Sequence, residues 1–167
     1  MRRKRSIGKH SRKEDSVFHS LIVAQLINYL MIDGEKRKAK KIVYSALKLV
    51  KEKTQVEPMV ALQEALENVK PKLETVSVRV GGTIQRIPRE VNPERSLTLA
   101  SRWIVKAARG IVGQAMFKCL AQEIIDARQK QGEAFKTKKD KENQAIANFA
   151  FVNYRSRFQT TKNEKTT

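Results

Sequence analysis

The apolar residues of this 167-residue chain change period once, and that change limits the folds open to it. Across most of the sequence they recur every three or four positions, the spacing that puts them on one face of a helix. Between Leu73 and Val91 the period drops to two. There Val76, Val78 and Val80 alternate with Thr75, Ser77 and Arg79, so that alternate side chains line one face of an extended strand. Gly81-Gly82 follows, and glycine permits the positive φ angles of a tight hairpin turn. A single hairpin among helices predicts a two-stranded ribbon. Such a ribbon is marginally stable alone and must lean on the helices or on a partner.

The helical segments divide at turn signals. Phe18, Leu21, Ile22, Leu26 and Leu30 predict a first helix from about Val17, closed by Asp33-Gly34. Ala39, Ile42, Val43, Ala46, Leu47 and Val50 mark a second from about Glu35. Pro58 suits the first turn of a third helix, with Met59, Leu62, Leu66 and Val69 inside and Pro71 as its stop. Leu97, Ala100, Ile104, Ala107, Ala108 and Ile111 predict a fourth from Pro93, broken by Gly110 and Gly113. A fifth, from about Gln114 to Lys130, buries Met116, Leu120, Ile124 and Ala127, and a sixth, Glu133 to Tyr154, is too polar for a full core face. The expected fold is mainly α. It is a single domain of about six helices over residues 17–155, with a protruding two-stranded β-ribbon at about 73–91 between the third and fourth helices. A basic arm over residues 1–16 precedes it, and a disordered tail over 156–167 follows.

The charge says what this domain meets. Thirty-five Lys and Arg against 17 Asp and Glu leave a net +18, which repels itself in a compact fold unless a polyanion answers it. No run of about eighteen apolar residues exists for a membrane span, and the charged start lacks the apolar core of a secretory signal. Cys119 is alone, so there is no intrachain disulfide or thiolate cluster, which fits a reducing compartment. Neither His10 nor His19 has a metal or triad partner nearby in sequence, and Gly81-Gly82 lacks the Lys-Ser/Thr of a phosphate-binding loop. No enzyme, metal or cofactor reading survives with named residues.

The cations fall in separate clusters. Arg2, Arg3, Lys4, Arg5, Lys9 and Arg12 stand in the arm. Lys36, Arg37, Lys38, Lys40 and Lys41 open the second helix, where the macrodipole is already positive. Arg79, Arg86 and Arg89 decorate the ribbon, Arg95, Arg102, Lys106 and Arg109 the fourth helix, and Lys136, Lys138, Lys139 and Lys141 the sixth. Several clusters brought to one surface suit a folded RNA touched at many phosphates better than a single groove. Trp103 is read as core, while Phe149, Phe151 and Tyr154 stand ready to stack on bases or to dock the last helix. A DNA-binding architectural protein is the runner-up, and a membrane-surface protein and an RNA-acting enzyme rank below it.

Taken together, Val80-Gly81-Gly82, Arg102-Trp103-Ile104, Asp33-Gly34 before Ile42-Val43-Tyr44, and Ala147-Asn148 leading to Ala150-Phe151 and Tyr154-Arg155 resemble ribosomal protein seven of the small subunit, bacterial and organellar type. The resemblance implies a structural protein of the small ribosomal subunit that binds the 3′ major domain of its RNA, acts early in assembly of the head and lies near the exit site. It implies neighbouring head and platform proteins as partners, passing messenger and exit-site transfer RNA, and Arg155 as a further RNA contact. The chain departs from the family's usual pattern at three single positions and one loop: Glu35 and Val78 replace basic residues, Gly110-Ile111-Val112-Gly113 replaces a basic loop, and Glu142 replaces a histidine. Ser77-Val78-Arg79 with Leu99 to Trp103 leans towards mitochondrial versions, with a plastid or bacterial ribosome left open.

Overall fold

The computed structural model describes residues 13–149, Gly81 excepted. Among them are six helices and one hairpin, in the order α1 (Leu21–Leu30), α2 (Lys36–Thr54), α3 (Pro58–Val69), β1 (Leu73–Val80), β2 (Thr83–Glu90), α4 (Pro93–Gly110), α5 (Met116–Arg128) and α6 (Gly132–Ala147). The mainly helical domain with a ribbon between its third and fourth helices is therefore what forms. Helix α5 sits at the centre, packed on α2, α3, α4 and α6, while α1 lies across α2 and α4. The chemistry of α5 explains its place. Leu120 and Ile124 are large and fully buried, and the small buried Ala121 and Ala127 of the same helix let neighbouring helices approach closely. Leu26, Leu47, Leu62, Leu66 and Ile104 complete the core from the surrounding helices.

Three helix ends differ from the sequence expectation. Helix α1 starts at Leu21, not Val17, because the Asp15 carboxylate accepts the N–H groups of Val17 and Phe18 and holds that stretch in a turn. His19 then takes φ +46°, and Ser20 caps the helix by accepting the Ile22 N–H at 3.3 Å. Leu21 consequently faces outward, and Val23 and Ile27 enter the core instead. Ile111 lies beyond the end of α4 and is exposed, since the helix stops at Gly110. Helix α6 stops at Ala147, where Asn148 leaves helical geometry and its Nδ2 donates back to the Gln144 carbonyl. The rest of the predicted sixth helix, 150–154, and the tail lie outside the described residues.

The entry to α6 is tightly specified. Glu123, buried in α5, accepts the Ala134 N–H at 2.8 Å and so caps a helix other than its own. Burial pushes its carboxyl above the usual range, the amide of Ala134 opposes this, and Asp126 and Glu133 add to the rise. Gly132 passes over this carboxylate at φ +86°, where a Cβ would lie 2.9 Å from Glu123 Oε1. Only glycine fits there.

The ribbon is antiparallel, with Leu73 opposite Glu90 and Val80 opposite Thr83, so two residues make the turn. Gly82 has φ +93°. Its base is fixed at several points. The Lys72 N–H donates to Glu142 of α6 at 2.9 Å, Ser96 Oγ donates to the Pro71 carbonyl at 2.9 Å, and Arg95 Nε lies 2.8 and 2.9 Å from the two oxygens of Glu74. Glu142, one of the departures noted above, thus ties α6 to the ribbon. Ile87 is buried near the base, whereas Ile84 close to the tip is 74 % exposed.

Candidate nucleic-acid interface

Helix α2 begins with a concentration of positive charge. Glu35 occupies the N-cap without a side-chain cap bond, and no acidic residue stands in the first turn. Unsatisfied N–H groups and the positive end of the helix dipole therefore meet Lys36, Arg37, Lys38, Lys40 and Lys41. Lys38 pairs with Glu35 at 2.8 Å on the open surface, and Lys40 turns to Ser16 and Asp15. Lys36, Arg37 and Lys41 point into solvent. An anion there would be stabilised by amides, dipole and side chains together.

The second basic element is α4. Arg95, Arg102, Lys106 and Arg109 follow one another at seven, four and three residues, which keeps them on one side of the helix. Two of them are oriented by α1. The Arg102 guanidinium stands 5.1 Å from the centre of the Tyr29 ring, and Arg109 donates to the carbonyls of Tyr29 and Leu30 at 3.3 and 3.2 Å, which caps the last turn of α1. Tyr29 is itself held, because Gln25 Nε2 donates to its hydroxyl and to Thr98 Oγ1, both at 3.1 Å. Burial raises the Tyr29 phenol, but the hydrogen bonds of Gln25 and Thr98 and the charge of Arg102 outweigh it and lower the phenol overall. Tyr29 also lines a cleft with Lys13, Lys36, Lys40, Asn28 and Gln25. Tyr29 is therefore the residue that cations of both α2 and α4 approach.

Asp15 sets where the N-terminal segment joins the helices. Its carboxylate accepts the Tyr44 hydroxyl at 2.7 and 3.0 Å besides the two amides, and Phe18 packs against the Tyr44 ring with centroids 5.8 Å apart. Burial alone would raise its pKa. Hydrogen bonds from Tyr44, Val17 and Phe18, with Lys40 at 3.9 Å, reverse this and hold it below its ordinary 3.8. A lowered folded-state pKa contributes stability above the unfolded value and loses it as pH falls through the folded one. Asp15→Ala is thus expected to cost about 1–3 kcal/mol at neutral pH, measured by urea denaturation. The difference from the unchanged protein should shrink as pH drops below 3.8.

In the ribbon, the register puts Arg79, opposite Ile84, and Arg86, opposite Ser77, on the same face, while Arg89 shares the other face with Glu74. In α6, Lys138 is half-buried and donates to the Asn68 carbonyl at 2.8 Å, with its Nζ 5.6 Å from the Phe135 ring centre, so it ties α6 to α3. Lys136 is 4.0 Å from Glu133, and Lys139 is exposed. The candidates thus divide. Lys36, Arg37, Lys41, Arg79, Arg86, Lys106 and Lys139 are exposed cations, whereas Arg95, Arg109 and Lys138 also hold the fold together. Arg2, Arg3, Lys4, Arg5, Lys9, Arg12 and Arg155 lie outside the described residues. Trp103 packs against the core, Phe149 is exposed, and Cys119 is buried. Among the described residues no cluster of His, Cys, Asp or Glu could hold a metal ion, and no helix is long and apolar enough to cross a membrane.

Sequence comparison agrees with this architecture. The family described as ribosomal protein S7p/S5e matches residues 1–148. Small ribosomal subunit protein uS7 of Dictyoglomus thermophilum is 47% identical over 141 residues, 84% of this chain and 90% of that protein. The uS7 proteins of Mycoplasmopsis agalactiae and Bifidobacterium longum subsp. infantis are 46% and 44% identical over 155 residues, 93% of this chain and 99% of each. These relatives are ribosomal structural proteins and not enzymes. A match across this much of the chain leaves one assignment: the chain belongs to the ribosomal protein S7p/S5e family.

Proposed function

We propose that this chain is a structural constituent of the small ribosomal subunit that binds the 3′ major domain of its RNA, nucleates assembly of the head and lies near the exit site. The observation that carries this reading is that cations from the start of α2 and from α4 both stand beside Tyr29, Lys36 and Lys40 in the cleft it lines and Arg102 over its ring. With the arm, the ribbon and Arg155, these cations would clamp RNA segments distant in sequence and hold one tertiary arrangement. The proposed domain division is a basic arm over 1–16, anchored to the helices through Asp15, an RNA-binding domain over 17–155 and a tail over 156–167. Neighbouring head and platform proteins, messenger RNA and exit-site transfer RNA are the further partners. The ribosome is the proposed location. The relatives compared are bacterial, and the mitochondrial lean rests only on Ser77-Val78-Arg79 and Leu99 to Trp103.

Affinity for small-subunit RNA fragments should fall with salt at about 0.7–0.9 in log–log slope per neutralised phosphate. It should also exceed affinity for arbitrary RNA of equal length. Filter binding across a salt series tests both, and equal binding to the two RNAs would refute the assignment.

A further inference from the structure

The cleft between the N-terminal segment, α1 and α2 holds more than a phosphate rail needs. It encloses about 490 Å³, within the size range of small-ligand sites. Lys13, Lys36 and Lys40 stand along it and supply positive charge. Its wall on α1, however, is built for a different chemistry. Leu21, 47 % exposed, offers an apolar surface, and Tyr29 an aromatic one. Asn28 is exposed, and its side-chain amide, with no hydrogen bond to other described residues, offers a donor and an acceptor side by side. Gln25 lines the cleft too, and because its Nε2 donates to Tyr29 and Thr98 its amide oxygen is the atom left to accept. Of the two acids at the cleft, Asp15 is engaged by Tyr44, two amides and Lys40, which leaves Glu14 as the exposed carboxylate.

We infer that this cleft receives one unpaired nucleotide splayed out of the bound RNA. The backbone phosphate sits by Lys36 and Lys40, and the base lies between Leu21 and Tyr29 with its edge read by Asn28 and Gln25. Unstacked bases of single-stranded loops and bulges are what proteins read in RNA, by aromatic contact and by hydrogen bonds to the base edge. The placement also gives Tyr29 two tasks, because the residue that lines the cleft is the one that orients Arg102 and Arg109 of α4. Seating the base would thereby link the cations of α2 with those of α4. The inference rests on the RNA-binding reading above and adds a site of sequence preference to it.

Ala24→Trp tests it, because Ala24 lines the cleft and the new ring fills it without removing a lysine. Affinity for a 3′ major-domain fragment should fall roughly five- to a hundredfold, the range for one stacked base. The salt slope and the affinity for arbitrary RNA should stay unchanged. Unchanged affinity for the fragment in a folded Ala24→Trp protein overturns the cleft. Should that variant fail to fold, ultraviolet cross-linking of the unaltered complex decides instead. A base adduct on the α1 peptide containing Asn28 and Tyr29 supports the site, and adducts confined to the ribbon and α4 overturn it. An unaltered protein with no preference for ribosomal RNA would refute the RNA reading itself, and the cleft with it.

Discussion

Leu120→Ala is expected to lower the free energy of unfolding by about 3–5 kcal/mol. Leu120 is completely buried in α5, the helix that α2, α3, α4 and α6 all touch, so little around it is free to collapse into the space left behind. Removing three carbons takes away their transfer energy and leaves a cavity whose lining has lost its contacts. A domain of this size is stable by only about 5–15 kcal/mol, so the variant should stand near the margin of folding. Urea denaturation measures this as a lower midpoint with an unchanged slope. Leu21→Ala, a leucine in the same kind of helical pattern but on the surface, should change stability by less than about 0.5 kcal/mol. A loss below about 1 kcal/mol for Leu120→Ala would mean that α5 is not the centre of the core. Because bound RNA stabilises only the folded state, saturating RNA should recover part of the lost thermal stability.

The contrast between these two leucines shows what the sequence could and could not convey. Periodicity identified every helix and the ribbon because burial on one face repeats, and α2 and α3 repeat it cleanly through Ala39, Val43, Leu47 and Val50, and through Leu62, Leu66 and Val69. It failed at the start of α1, where Val17, Phe18 and Leu21 continue the spacing but Asp15 holds the backbone in a turn. A side-chain hydrogen bond to the backbone competes with helix, and no count of apolar residues registers it. The end of α6 was missed for a related reason, since Asn148 bonds locally and ends the helix.

At the candidate interface the exposed cations were legible, because a net +18 has to be displayed somewhere. Their partners were not. That Arg102 would stand over Tyr29, that Arg109 would cap α1, and that Lys138 would grip the Asn68 carbonyl depends on which helices meet. Those are tertiary facts. Tyr29 falls outside the apolar stripe read for the first helix, and its place beside cations of α2 and α4 appears only once the helices are packed.

Neutralising the start of α2 should separate binding from stability more sharply than any other change. In Lys36→Gln/Arg37→Gln/Lys41→Gln, three exposed cations are lost from a helix end whose dipole they oppose. Each is placed to neutralise a phosphate, so the salt slope of RNA binding should drop by about 2–3 and affinity at 0.1 M salt on the order of a hundredfold. The fold itself should be no less stable, or slightly more so, because like charge leaves the positive end of the dipole. The other end of the same helix should behave in the opposite way. Lys51 and Lys53 lie in the last turn, where cations complement the dipole, so their replacement by glutamine should reduce stability by about a few tenths of a kcal/mol each and leave the RNA salt slope nearly unchanged. Thermal melts and filter binding on the two sets measure both quantities. Equal loss of affinity from the two ends would show that net charge, not its position at the start of α2, draws the RNA. Loss from the first set alone makes the uncapped helix start a contact whose instability in the free protein is answered by phosphate.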